Sequence, residues 1–190
     1  MIRLHIYGFN INELKSYEGS KNQEVLKKVL DELYDGDDPE LDEYTRAREI
    51  AELFFNKSAK EAGFDNETQS YYYFIRALIH AQKMLVFPEF ECSAHYLFGY
   101  FYDLQEKLAG SPKQIINFFI KGRSIFSDNS ALSPADYPYV ILTLSEITIL
   151  AQDMEINKQL YKDSEGIYEL LLNALHKLIK EKSDLYFNAS

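Results

Sequence analysis

The chain has 190 residues, of which 46% are hydrophobic, including 15% aromatic, and 26% are charged. This composition is too apolar for a disordered chain and predicts one globular domain over 1–190. The formal net charge of −10 disfavours nonspecific nucleic-acid binding; it suits a protein partner with a basic surface, or simply solubility.

Export and membrane insertion are both disfavoured by the sequence. The single cysteine, Cys92, excludes an intramolecular disulfide. The first residues lack the long apolar region of a signal peptide, and no apolar run approaches the ~18 residues of a membrane span. We therefore expect a cytoplasmic protein that does not contact a membrane; its oligomeric state stays open.

The two ends of the chain read as strands. Ile2, Leu4 and Ile6 alternate with polar or amphipathic residues, which predicts a half-buried strand over about 2–8. Residues 183–188 read as a short closing strand. Each strand would leave backbone groups unpaired if it stood alone, so we expect residues 2–8 and 184–188 to pair.

Between these strands the apolar spacing is helical. The predicted fold is α+β, a predominantly helical single domain of six to eight helices around one core, with a small sheet that pairs the N- and C-terminal strands. Ser111-Pro112-Lys113-Gln114 has the composition of a capped helix start, with Ser111 as the cap. The predicted helices cover about 11–17, 20–34, 40–56, 67–85, 91–109, a segment starting at Ser111, 139–154 and 163–182.

An acidic segment at 31–43 contains eight acidic residues and no basic one. Calcium binding is one interpretation, but the EF-hand order requires glycine at the sixth loop position, which is Glu40 when counted from Asp35. Two other interpretations of this segment are a solvated helix end and a docking surface for a basic protein. The docking interpretation assigns partner contacts, with the two tyrosines as anchors, to Tyr34, Asp35, Asp37, Asp38, Glu40, Asp42, Glu43 and Tyr44.

Catalytic signals are weak. The eight glycines form no phosphate-binding loop, and no G-x-S-x-G sequence occurs. Cys92 and His95, with His80, are the remaining candidates for a zinc site or a nucleophile and base, but a buried cysteine and a hydrogen-bonded histidine are the favoured interpretation. We expect no metal and no cofactor.

The consecutive residues Tyr71, Tyr72 and Tyr73 cannot all face one core from a helix. At least one is expected to point toward a groove, another helix or a partner.

Three segments resemble a bacterial family of uncharacterised domains of similar length. They are the opening strand with Asn12-Glu13-Leu14 and Gly19-Ser20, the central segment 133–138, and the closing segment 182–187. The resemblance implies that both termini lie in one small sheet, and it implies no activity. The chain differs from this family in lacking tryptophan.

Small size, acidity, aromatic content and the missing catalytic signature together favour an immunity-type protein, which would bind and neutralise a cognate bacterial toxin in the cytoplasm. An enzyme with a dispersed site is one alternative. A regulatory module that binds a small ligand in a helical pocket is another.

Overall fold

The structure is a computed structural model that describes residues 1–33, 42–59, 69–82, 84–123 and 139–189, without the side chains of Asp42 and Gln69. Within these ranges the chain forms nine helices and five strands. In chain order they are β1 (Ile2–Phe9), α1 (Ile11–Ser16), α2 (Gln23–Glu32), α3 (Asp42–Asn56), α4 (Gln69–His80), β2 (Leu85–Val86), β3 (Phe90–Cys92), α5 (Ala94–Lys107), α6 (Gly110–Lys121), β4 (Tyr139–Leu142), α7 (Leu144–Ile156), α8 (Lys158–Tyr161), α9 (Ile167–Glu181) and β5 (Asp184–Ala189).

The five strands form one antiparallel sheet in the order β2-β1-β5-β4, and β3 pairs with the other end of β1. The predicted pairing of the terminal strands is confirmed: β1 and β5 run from Leu4 opposite Ala189 to Phe9 opposite Asp184. The α+β fold class is confirmed as well. The sheet is larger than expected, because β2, β3 and β4 extend the terminal pair.

Helices cover both faces of the sheet. Successive side chains of a strand point to opposite faces, so Ile2, Leu4 and Ile6 of β1 pack with α5–α9, which we call the C-terminal layer. Tyr139 and Tyr186 pack with α1–α4, the N-terminal layer. The described residues thus form two hydrophobic clusters separated by the sheet, rather than the one core that was expected.

One carboxylate fastens helices to the sheet. The side chain of Asp184, at the start of β5, accepts hydrogen bonds from the backbone N–H groups of Ile11 and Leu144, each at 2.8 Å. Both groups belong to the first residue of a helix, where backbone donors have no partner within the helix. The strand therefore anchors α1 and α7 together.

The predicted helix over 139–154 is wrong at its start, where Tyr139–Leu142 forms strand β4. All four residues of β4 are buried, because helices cover both faces of the sheet. A strand buried on both faces loses the alternation that marks a half-buried strand and reads as a continuous apolar run. Strands β2 and β3, of two and three residues, were missed because a segment so short shows no period.

Several helix boundaries also differ from the prediction. Helix α6 begins at Gly110 without a side-chain cap, so Ser111 is not its N-cap. Its Pro112 is tolerated because the N–H groups of a first turn have no helical acceptor. Asn22, rather than Ser20, caps α2 by accepting a hydrogen bond from the backbone N–H of Val25 at 3.1 Å. Helices α4, α5 and α9 are shorter at both ends than predicted.

Candidate functional site

A polar pocket lies between helix α4 and the sheet. Two cavities, of about 50 and 120 Å³, share Arg76 and His80, and we call them together the Arg76 pocket. The other residues around the smaller cavity come from strands β1 and β5: His5, Tyr7, Tyr186 and Asn188. Those around the larger come from the N-terminal layer: Glu32, Leu33, Tyr44, Tyr73 and Ala77.

Local sequence spacing builds this pocket. Tyr72, Arg76 and His80 are four residues apart, which places them on one face of α4. From the sheet, Tyr7 of β1 faces them, with its ring 5.3 Å from the ring of His80 and 5.9 Å from that of Tyr186. The alternation of β1 and β5 thus sends polar and aromatic side chains to the N-terminal layer.

The charge of Arg76 is the main electrostatic feature of the pocket. Among the described residues, no carboxylate lies within ion-pair distance of its guanidinium group. Burial opposes the charged form, but the neighbouring tyrosines, Tyr72 first, outweigh it and raise the pKa of Arg76. That effect requires ionised tyrosines and so belongs to high pH; at neutral pH the tyrosines are uncharged and do not compensate the positive charge of Arg76.

The two histidines of the pocket are uncharged at neutral pH. Burial, followed by the nearby charge of Arg76, lowers the pKa of His80, against the opposing effect of Glu32, whose carboxylate lies 3.5 Å from His80 Nδ1. Burial also lowers the pKa of His5, against the effect of Glu89 at 3.6 Å. Each ring therefore offers one donor and one acceptor.

Three buried polar atoms of the pocket lack a hydrogen-bond partner among the described residues: Nε2 of His80, the hydroxyl oxygen of Tyr186 and Oδ1 of Asn188. Asn188 is only 4% exposed, and its amide nitrogen is occupied, since it donates to the Tyr72 hydroxyl at 2.9 Å. Buried polar atoms in native proteins nearly always have partners, so these atoms mark a place where a ligand or water molecules complete the structure. The pocket therefore combines one cationic group with free hydrogen-bonding positions.

The predicted partner-binding residues are only partly described. Tyr34, Asp35, Asp37, Asp38 and Glu40 lie outside the described residues. Asp42 is the first residue of α3, and Glu43 beside it is half-buried.

Tyr44, the remaining member of that set, is a packed residue of the pocket. Its ring stacks on that of Tyr73 at 4.3 Å, and both line the larger cavity. Among the consecutive tyrosines, Tyr71 and Tyr72 are buried and Tyr73 faces this groove, as was expected of at least one of them.

The residues suggested for a dispersed catalytic site are not brought together. His80 lies in the N-terminal layer, whereas Cys92 is buried in the cluster on the opposite face of the sheet. Burial raises the pKa of the Cys92 thiol, which makes it a poor nucleophile. His95 is exposed at the start of α5. No group of three or more potential metal ligands occurs in the described ranges.

Arg76 and Asn188 were missed as site residues, while His80 was considered only together with Cys92 and His95, for zinc or for catalysis. The sequence did contain a signal for a polar site on this helix: one arginine and one histidine lie four residues apart on an otherwise apolar and aromatic helix. Asn188 had no such signal, because its importance depends on which face of β5 meets α4.

No protein-family model, no curated protein and no solved structure matches this chain significantly. In the described part of the chain, no helix has the length and apolarity needed to cross a membrane.

Proposed function

We propose that this chain is a binding protein for a small carboxylic acid, held in the Arg76 pocket. The observation that carries the proposal is the Arg76 guanidinium group, which has no carboxylate partner among the described residues and lies in a cavity with unsatisfied buried atoms. A ligand carboxylate would supply the missing charge, and its two oxygens match the planar fork of a guanidinium group.

The surroundings favour a carboxylate over a phosphate. Glu32 and Glu89 lie next to the two histidines, so a doubly charged phosphate would meet two like charges. A monoanion gains the attraction of Arg76 with less of this repulsion.

The unsatisfied atoms specify a second feature of the ligand. Oδ1 of Asn188 is an acceptor, and so is Nε2 of His80 when Nδ1 donates to Glu32. Both would be satisfied by a hydroxyl or ammonium group close to the carboxylate. A small hydroxy acid or amino acid therefore fits better than a simple fatty acid.

The proposal is tested by titrating isotope-labelled protein with glycolate, acetate, acetamide and inorganic phosphate, and following the NMR signals of Arg76 and of the His5 and His80 rings. We expect saturable shifts at these residues, with glycolate the tightest binder and acetamide without effect. Binding of phosphate in preference to glycolate would contradict the carboxylate assignment, and no saturable shift with any anion would end it.

Two variants at Arg76 separate its charge from its geometry. Arg76→Gln should weaken glycolate binding by at least about tenfold, and Arg76→Lys should restore only part of it, because an ammonium group lacks the two-pronged geometry. The matched control is Arg46→Gln, at an exposed arginine on α3 paired with Glu49 at 2.6 Å. Glycolate binding should be unchanged in that control.

A further inference from the structure

A second cavity lies in the C-terminal layer, away from the Arg76 pocket. It measures about 310 Å³ and is bounded by α5, α8 and the segment that follows α8. This volume is within the range of cavities that hold small organic ligands, at roughly 300–1,000 Å³.

Gly99 forms the floor of this cavity in the middle of α5. Glycine weakens a helix interior relative to alanine, so a glycine there normally needs a structural reason. Here the backbone has ordinary helical angles, and a Cβ atom added at Gly99 would meet nothing within 4 Å. What the missing side chain preserves is the open volume of the cavity.

The walls are aromatic and fixed in place. The Tyr100 hydroxyl donates to the carbonyl of Tyr161 at 2.9 Å, and the Tyr96 hydroxyl contacts Asp163 at 3.2 Å. The Tyr100 hydroxyl is thus engaged by the last residue of α8 and the Tyr96 hydroxyl by the segment after it, and both residues line the cavity. Leu160 also lines it and is 40% exposed, which adds an apolar surface.

The rim carries cations without partners. Lys107 and Lys162 line the cavity, and no carboxylate of the described residues lies within ion-pair distance of either lysine. Asp163 is occupied by the backbone N–H groups at the start of α9, including those of Ile167 and Tyr168. Asp103 is the other carboxylate of the rim. The two lysines thus balance two aspartates, but one aspartate is held by the start of α9, so an acidic group of a ligand would find two cations and one carboxylate available.

We infer that this cavity is a second binding site, for an organic anion with a flat apolar body that lies over Gly99 between the tyrosine rings. Its acidic group is held at the rim by Lys107 and Lys162. The site is independent of the Arg76 pocket, which lies on the other face of the sheet.

The probes for this site are indole-3-acetate and its neutral analogue indole-3-acetamide, titrated into isotope-labelled protein and followed by backbone NMR. We expect saturable shifts in α5, α8 and the segment after α8 with the acid, and weaker shifts with the amide. Equal affinity for the two probes would overturn the anionic class, and the absence of saturable shifts in this region would overturn the site.

Three variants decide whether the cavity itself is responsible. Gly99→Leu should fill the cavity and abolish the shifts, while its thermal unfolding midpoint is no lower than that of the unchanged chain. Lys107→Gln with Lys162→Gln should weaken the acid about tenfold and leave the amide unchanged. The matched control, Lys121→Gln with Lys180→Gln, alters two exposed lysines of the same layer that do not line the cavity. Shifts that persist in Gly99→Leu, or that weaken equally in the control, would refute the inference.

Discussion

The two faces of the sheet are built from the same strands but have different chemistry. Toward the C-terminal layer, β1, β4 and β5 present only aliphatic and phenyl side chains, such as Leu4, Val140 and Phe187. Toward the N-terminal layer they present the hydroxyls of Tyr7, Tyr139 and Tyr186, the His5 ring and the Asn188 amide. One face is suited to tight packing, and the other holds polar groups that need partners.

This difference separates stability from binding within one sheet. Apolar packing contributes free energy without requiring any partner molecule. Buried polar groups cost free energy unless each one is hydrogen-bonded, and unsatisfied atoms such as Asn188 Oδ1 therefore suggest a role outside stability. The same reasoning explains why the Arg76 pocket lies on the face with the tyrosines.

The largest effect is expected from a cavity in the C-terminal layer. Phe101 is fully buried, and its ring stacks on that of Phe119 at 4.7 Å. Phe101→Ala should lower the free energy of unfolding by about 3–5 kcal/mol, because the side chain leaves a void that the close-packed layer cannot fill. Urea unfolding measures the loss. A value under about 1 kcal/mol would show that this layer is loosely packed.

A smaller effect, different on the two faces, is expected from exchanging a hydroxyl group at neighbouring residues of β5. Phe187→Tyr places a hydroxyl in the apolar cluster and should destabilise the fold by about 1–3 kcal/mol. Tyr186→Phe removes a hydroxyl from the other face and should cost about 1 kcal/mol or less. The same urea experiment compares them, and an equal loss in both variants would contradict the proposed difference between the faces.

The pH dependence of stability should come in part from the histidines of the Arg76 pocket. The folded-state pKa values of His5 and His80 are lowered from 6.5 by burial, so below pH 6.5 the unfolded chain binds more protons than the folded one. The contribution of these two histidines to the free energy of unfolding is therefore complete above pH 6.5, and it is lost as the pH falls toward their folded-state pKa values. Replacing both with glutamine should flatten this part of the profile, as urea unfolding at a series of pH values would show.

The smallest change in stability per substituted residue is expected in the acidic segment, where the immunity hypothesis is tested. Changing Asp37, Asp38, Asp42 and Glu43 to Asn or Gln should alter the free energy of unfolding by no more than about 0.5 kcal/mol per position. If the segment contacts a basic toxin, the association rate should fall and depend less on salt, because the Debye length is ~8 Å at physiological ionic strength.

That kinetic measurement requires a partner recovered by pull-down with the full chain as bait. Tyr44→Ala distinguishes an anchor from a packed residue. If Tyr44 is an anchor, its truncation should raise the dissociation rate of the complex; if Tyr44 only packs within the fold, its truncation should lower stability alone. Unchanged association in the four-site variant would remove the acidic segment from the interface.

The sequence predicted those elements whose pattern is local. The alternation in β1 and the unpaired backbone of two lone strands were enough to predict the β1–β5 pairing. The strand Tyr139–Leu142 was not predictable in the same way, because burial on both faces removes its alternation. A helical run and such a strand look alike over four residues.

The candidate site was less predictable than the fold. The spacing of Tyr72, Arg76 and His80 is visible in the sequence, but its meaning depends on which strand lies opposite. His5 and Asn188 are 183 residues apart, yet both line the smaller cavity because β1 and β5 are neighbours in the sheet. Contacts of this kind are set by topology rather than by any local pattern.

The position of β5 inside the sheet has a consequence for how the protein is made. Strand β5 lies between β1 and β4, so these two strands have no shared partner until residues 184–189 have been synthesised. At ~5–20 residues per second, the ribosome needs on the order of 10 s to pass from one end of this pairing to the other. During that interval the hydrogen-bonding edge of β1 that pairs with β5 is open, and an open strand edge is a place where another chain can pair.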